Sequence, residues 1–123
     1  MTKNLIFASV CFLLAATIAS SQSKPFGGLY RPSGDAFAHW DCETVGQDGG
    51  AILINGDELW ETESFCALEN PVRVTGLDAT LFDAECRGPS GSWSERIMLM
   101  VADEGVFFVT NRFVTEWKNC AFE

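Results

Sequence analysis

Histidine is nearly missing from this chain: His39 is the only one. Any Ser-His-Asp or Cys-His catalytic set would have to be built on it. An imidazole beside Trp40, near the start of an expected strand, is more often a surface group, so no catalytic residue is assigned. Basic side chains are also scarce, 8 against 17 acidic ones, and form no cluster. That excludes nucleic acid as a partner and disfavours an anionic membrane surface, since both are bound by basic patches. Close cysteine pairs are absent as well, so neither a zinc site nor a redox-active C-x-x-C has its motif. Asp48-Gly49-Gly50 and Asn55-Gly56-Asp57-Glu58 carry oxygens but not the ligand count of a calcium loop, and they read as turns. No metal and no cofactor is expected. No asparagine starts an N-x-S/T acceptor, which fits a bacterial periplasm.

What the chain does have begins with a leader. Lys3 precedes an apolar run over residues 5–19 (LIFASVCFLLAATIA) that closes on the small residues Ala19, Ser20 and Ser21. The run is shorter than the ~20 apolar residues of a membrane span and matches an export signal, so residues 1–21 are expected to be cleaved. The exported form would then sit in the periplasm or be secreted, with no membrane attachment after cleavage. Roughly a hundred residues remain, enough for one domain. They carry 7 basic and 17 acidic residues, a difference of −10. That surface would attract a basic protein at long range.

Residues 22–36 hold two prolines and three glycines without an apolar period and read as a flexible lead-in to a domain over 37–123. Short β-rich runs then alternate with turn residues, and no helical repeat of useful length occurs. Strands are expected around 37–43, 72–74 and 80–87. Asn55-Gly56 is expected as a two-residue hairpin turn, pairing residues whose numbers sum to 111. A hairpin over residues 93–101 and 106–110 is expected to close through residues 102–105, with Gly105 left-handed. Asn111-Arg112 leads into a last strand at 113–120. The fold class is therefore all-β: a small antiparallel meander of about eight short strands, closed or nearly closed into a barrel. Trp93, Ile97, Leu99 and Val101 share one strand face that Glu95 interrupts, opposite Ser94, Arg96, Met98 and Met100. The Met and Phe side chains are assigned to the core.

Four cysteines follow the leader, Cys42, Cys66, Cys86 and Cys120, and an even count in a small exported domain implies two disulfides. In the simple meander, Cys66 and Cys86 overhang one rim with a short strand between them. Cys42 and Cys120 fall at the other rim, brought together if the first and last strands meet. The expected bonds are Cys42 to Cys120 and Cys66 to Cys86. Glu61 with Glu63, and Asp83 with Glu85, sit two apart and could share strand faces as an acid–base pair. A solvated face has the same pattern.

Trp40-x-Cys42, Asp48-Gly49-Gly50, Glu63-Ser64-x-Cys66, Glu85-Cys86, Trp93 and Trp117-x-x-Cys120 form a pattern that resembles a group of small exported four-cysteine bacterial proteins of unknown function. The aromatic-x-Cys opening and terminal cysteine are also similar to the periplasmic C-type lysozyme inhibitors. That resemblance implies a small antiparallel barrel inserting a loop into an enzyme cleft. On it, the candidate binding loop is Ser90, Gly91, Ser92 and Trp93, one residue shorter than the family's S-G-x-x-Y and ending in Trp. The expected function is an exported, non-catalytic binding or interaction module of unknown specificity, a basic protein such as a lysozyme being the candidate partner. The alternative is a small cell-envelope hydrolase using paired carboxylates.

Overall fold

The computed structural model describes residues 24–122. The expected signal segment, residues 1–21, lies outside the described residues. Eight strands run as a meander, β1 (Gly28–Pro32), β2 (Ile52–Asn55), β3 (Glu58–Glu61), β4 (Ser64–Arg73), β5 (Ala79–Gly88), β6 (Gly91–Ala102), β7 (Gly105–Thr110) and β8 (Phe113–Asn119). Every neighbouring pair is antiparallel, and β1 pairs with β8 through Tyr30 with Asn119 and Pro32 with Trp117. The expected all-β meander is thus a closed barrel in which the first and last strands pair.

Alternation along each strand points one side chain in two inward. Ile54, Leu59, Phe82, Ile97, Leu99 and Val106 are all at most 1% exposed and fill the interior. The opposite parity covers the outer wall, where Asp83 and Glu85 stand in water-facing rows. Met98, Met100 and Phe107 also lie on this outer parity and are half-buried, so the assignment of Met and Phe to the core holds only for part of them. Register joins Val72, Leu81, Met98, Val109 and Val114 into one apolar row around the outside.

Three local expectations need correction. Residues 22–36 are not wholly a lead-in: a 3-10 turn at Lys24–Phe26 and the strand β1 lie inside that segment. Pro25 lies within that short first turn, whose early N–H groups need no intrahelical partner, and Pro32 ends β1. Phe26 and Tyr30 supply the burial that orders it, at 1% and 3% exposure, and the Tyr30 hydroxyl donates to the Phe26 carbonyl. The expected strand at 37–43 is instead part of a loop over residues 33–51. It begins with the 3-10 turn Asp35–Phe37 and is tightened by Asp41, whose carboxylate accepts from the Glu43 and Thr44 N–H groups and from the Thr44 hydroxyl. Those hydrogen bonds favour the charged carboxylate and lower the Asp41 pKa. The expected strand at 72–74 is the end of the long β4, offset by a register shift between Glu69 and Val72.

The hairpin turns slip too. Asn55 pairs with Glu58, so the β2–β3 turn is Gly56-Asp57 and the paired numbers sum to 113. Gly56 has φ of 59° while Asp57 is not left-handed, the requirement of a type II′ turn with glycine first. The β6–β7 turn is Asp103-Glu104 rather than four residues, because Ala102 pairs with Gly105. Gly105 serves close approach rather than left-handedness: a Cβ there would stand 1.8 Å from the Trp117 carbonyl oxygen. Asn111-Arg112 is the β7–β8 turn as expected, with Arg112 at φ 78°.

Both expected disulfides are present. Cys66 and Cys86, however, are direct cross-strand partners on β4 and β5, with no strand between them. The two covalent bonds agree with an oxidising, exported location.

Candidate functional site

The two ends of the barrel differ. The lower rim carries the turns at Gly56-Asp57, residues 74–78 and Asp103-Glu104, and Phe26 packs there against the ends of β5 and β6. The upper rim carries the turns at Thr62-Glu63, Pro89-Ser90 and Asn111-Arg112 together with the 33–51 loop. Here the interior opens into a mouth of about 300 Å³.

Inward parity on β7 and β8 brings Phe108, Thr115, Trp117 and Phe113 to this mouth. Phe108 and Trp117 stack with ring centroids 4.6 Å apart and planes 16° from parallel. Trp40 comes from the loop, 8% exposed, with its ring held edge-on by Phe37 at 6.2 Å. Phe113 stays 55% exposed on the lip. The acidic side of the mouth is Glu61, last residue of β3, which shares inward parity with Leu59. Glu95 on β6 shares inward parity with Ile97 and Leu99 and accepts a hydrogen bond from the Trp93 indole N–H at 3.2 Å.

Burial first, and then the negative charge of Glu95, push the Glu61 carboxyl up from 4.5 to about 7. Its proton is therefore shared with solvent near neutrality, where an ordinary glutamate would be fully ionised. Because the folded value lies above the unfolded one, the unfolded chain binds fewer protons between pH 4.5 and 7. Stability is accordingly full below about 4.5, falls as pH rises through this window, and stays at its lower level above it. Discounted for partial solvent access, the loss is on the order of 1–2 kcal/mol. Glu61→Gln should remove it: chemical denaturation at pH 5 and pH 8 should show the variant gaining on wild type by that amount at pH 8. An unchanged difference between the two pH values would contradict the assignment.

The other sequence candidates are placed differently. Glu63 sits in the β3–β4 turn with φ 57°, so Glu61 and Glu63 share no strand face. Asp83 and Glu85 do share the outer face of β5, but Asp83 accepts from Asn70 Nδ2 and Glu85 from the Ser94 hydroxyl. His39 is exposed in the loop, not in a strand. Ser90, Gly91, Ser92 and Trp93 form the exposed β5–β6 turn and strand start, on the same rim as the mouth. Glu95 was not among the sequence candidates as a site residue. Its signal was present as the one carboxylate interrupting the apolar face of Ile97 and Leu99. Among the described residues, no group of three His, Cys, Asp or Glu side chains is arranged to hold a metal ion. Neither a family model, nor a curated protein, nor a solved structure matches the chain.

Proposed function

We propose that this protein is an exported, non-catalytic binding module whose upper mouth receives a basic side chain from a protein partner. One observation carries the reading: Glu61 faces an aromatic cleft that no lysine or arginine lines, although Glu95 stands nearby with the same inward parity. A cation entering there gains the Glu61 carboxylate beside an aromatic lining of Trp40, Phe108 and Trp117. The chain's formal net charge of −9 would steer a basic protein toward it. A lysozyme fits that charge class, and the apolar leader and the disulfides fit a periplasmic or secreted location.

The test is calorimetric titration with a C-type lysozyme and with hexalysine. Binding of at least one is expected, weakening as salt rises and falling about tenfold in Glu61→Gln. Failure of both ligands, or affinity indifferent to salt and to Glu61, overturns the reading. A second reading is favoured by one feature. A carboxyl held near pH 7 beside a second carboxylate is also the arrangement of a glycosidase acid and its partner. Release of reducing sugar from cell-wall glycan, lost in both Glu61→Gln and Glu95→Gln, would replace the non-catalytic assignment.

A further inference from the structure

Glu61 lines a second feature besides the mouth. An open groove of about 430 Å³ runs from it across the outer wall, between residues 45–47 of the long loop and the β3–β4 hairpin. The loop side is fixed by backbone, since Glu63 N–H donates to the Gly46 carbonyl and Gly46 N–H to that of Ala51. The wall side is an aromatic stack. Trp60 and Phe65 are cross-strand partners with centroids 4.7 Å apart, and Arg87, the partner of Phe65 on β5, places its guanidinium 4.9 Å from the Phe65 centroid. A guanidinium laid on a ring loses rotamer freedom while its N–H donors remain at its edge, ready for a planar acceptor.

Among the described residues, the single ion pair is Lys118 with Glu104. Arg87 thus has no carboxylate of its own, although Glu61 and Glu63 line the same groove. A ligand carboxylate would be repelled over most of a surface bearing 17 acidic residues. Beside Arg87 it would be met by a preorganised bidentate donor.

The geometry points to a bipolar ligand: a polypeptide segment whose basic side chain enters the mouth at Glu61 and whose neighbouring carboxylate is taken by Arg87 in the groove. This rests on the mouth reading and adds the second half of the partner's chemistry. Glu61 is the shared wall, so the two charges of the ligand must lie close in its sequence. The aromatic side of the groove then covers the aliphatic stem between them.

The probes are capped synthetic peptides in which one lysine is separated from one aspartate by zero to three glycines, each with an asparagine counterpart. They are titrated into the disulfide-intact protein and followed by amide and Arg87 side-chain NMR shifts. At least one aspartate peptide is expected to bind about three- to tenfold tighter than its asparagine counterpart, with shifts at Phe65 and Arg87. Arg87→Gln, at an exposed position, should abolish that advantage while leaving the asparagine peptides unchanged. Equal affinities throughout the series, or an advantage that survives Arg87→Gln, overturn the bipolar assignment and leave the mouth reading standing. Failure of every peptide to bind while hexalysine binds also overturns the bipolar assignment alone, and failure of hexalysine and lysozyme as well overturns both.

Discussion

Paired replacement of Cys42 and Cys120 by serine is expected to lower the melting temperature by on the order of 15–30 °C, and reduction, which breaks both disulfides, by more. The Cys42–Cys120 bond closes a separation of 78 residues, and the loop-entropy relation assigns such a loop about 4 kcal/mol. Spread over a domain of roughly a hundred residues, each kcal/mol corresponds to about 4–8 °C. Unfolded-state structure in the reduced chain would bring the realised value toward the lower end. Cys66–Cys86 closes 20 residues and is expected to contribute less, about 3 kcal/mol. The Cys42 bond also has a functional side. It ties the 33–51 loop to the residue following β8, and that loop carries Trp40 into the mouth. Binding at the mouth should therefore weaken in the Cys42/Cys120 variant at temperatures where its barrel is still folded. Differential scanning calorimetry of the oxidised protein and the variant measures the stability effect. A shift of only a degree or two would show that the loop is held by its other contacts.

The second large effect is expected from Phe26→Ala, at about 3–5 kcal/mol. Phe26 is 1% exposed and belongs to the continuous core, and it closes the lower end of the barrel beside Ala79, Thr80 and Val101. Removing its ring takes away apolar contact and opens the interior at that end. The Tyr30 hydroxyl bond to the Phe26 carbonyl survives the substitution only if the backbone turn does. Denaturant unfolding would show the loss as a lower midpoint with little change in slope. A cost under 1 kcal/mol would mean that residues 24–26 are an appendage rather than part of the barrel.

Glycine at Gly56, the Asn111-Arg112 turn and the alternation of Ile97 and Leu99 are local signals, and they placed most of the meander. β1 was hidden because Gly28, Tyr30 and Pro32 form a strand only through long-range pairing with β2 and β8, which overrides their weak local preference. Residues 37–43 looked like a strand from their aromatics, but Asp41 captures the backbone N–H groups that a ladder would need. The cysteine connectivity came out as expected, though through a strand too many: residues 72–74 were counted as a separate strand between Cys66 and Cys86, whereas they end β4 and the two cysteines are direct cross-strand partners. The mouth was only half legible. Glu61 was legible as a candidate but with the wrong partner, Glu63, which the β3–β4 turn takes off the strand face; its coupling to Glu95 arises only when closure of the barrel brings the ends of β3 and β6 near one another.

Cation binding at the Glu61 carboxylate of the mouth is tested most directly by the side-chain carboxyl ¹³C titration of Glu61, with and without saturating hexalysine. In the free protein the midpoint is expected at about 7. A bound ammonium group favours the ionised carboxylate, so the midpoint should move down toward the ordinary glutamate range when hexalysine is present. A midpoint that stays near 7 while hexalysine is demonstrably bound would place the cation elsewhere and contradict the account.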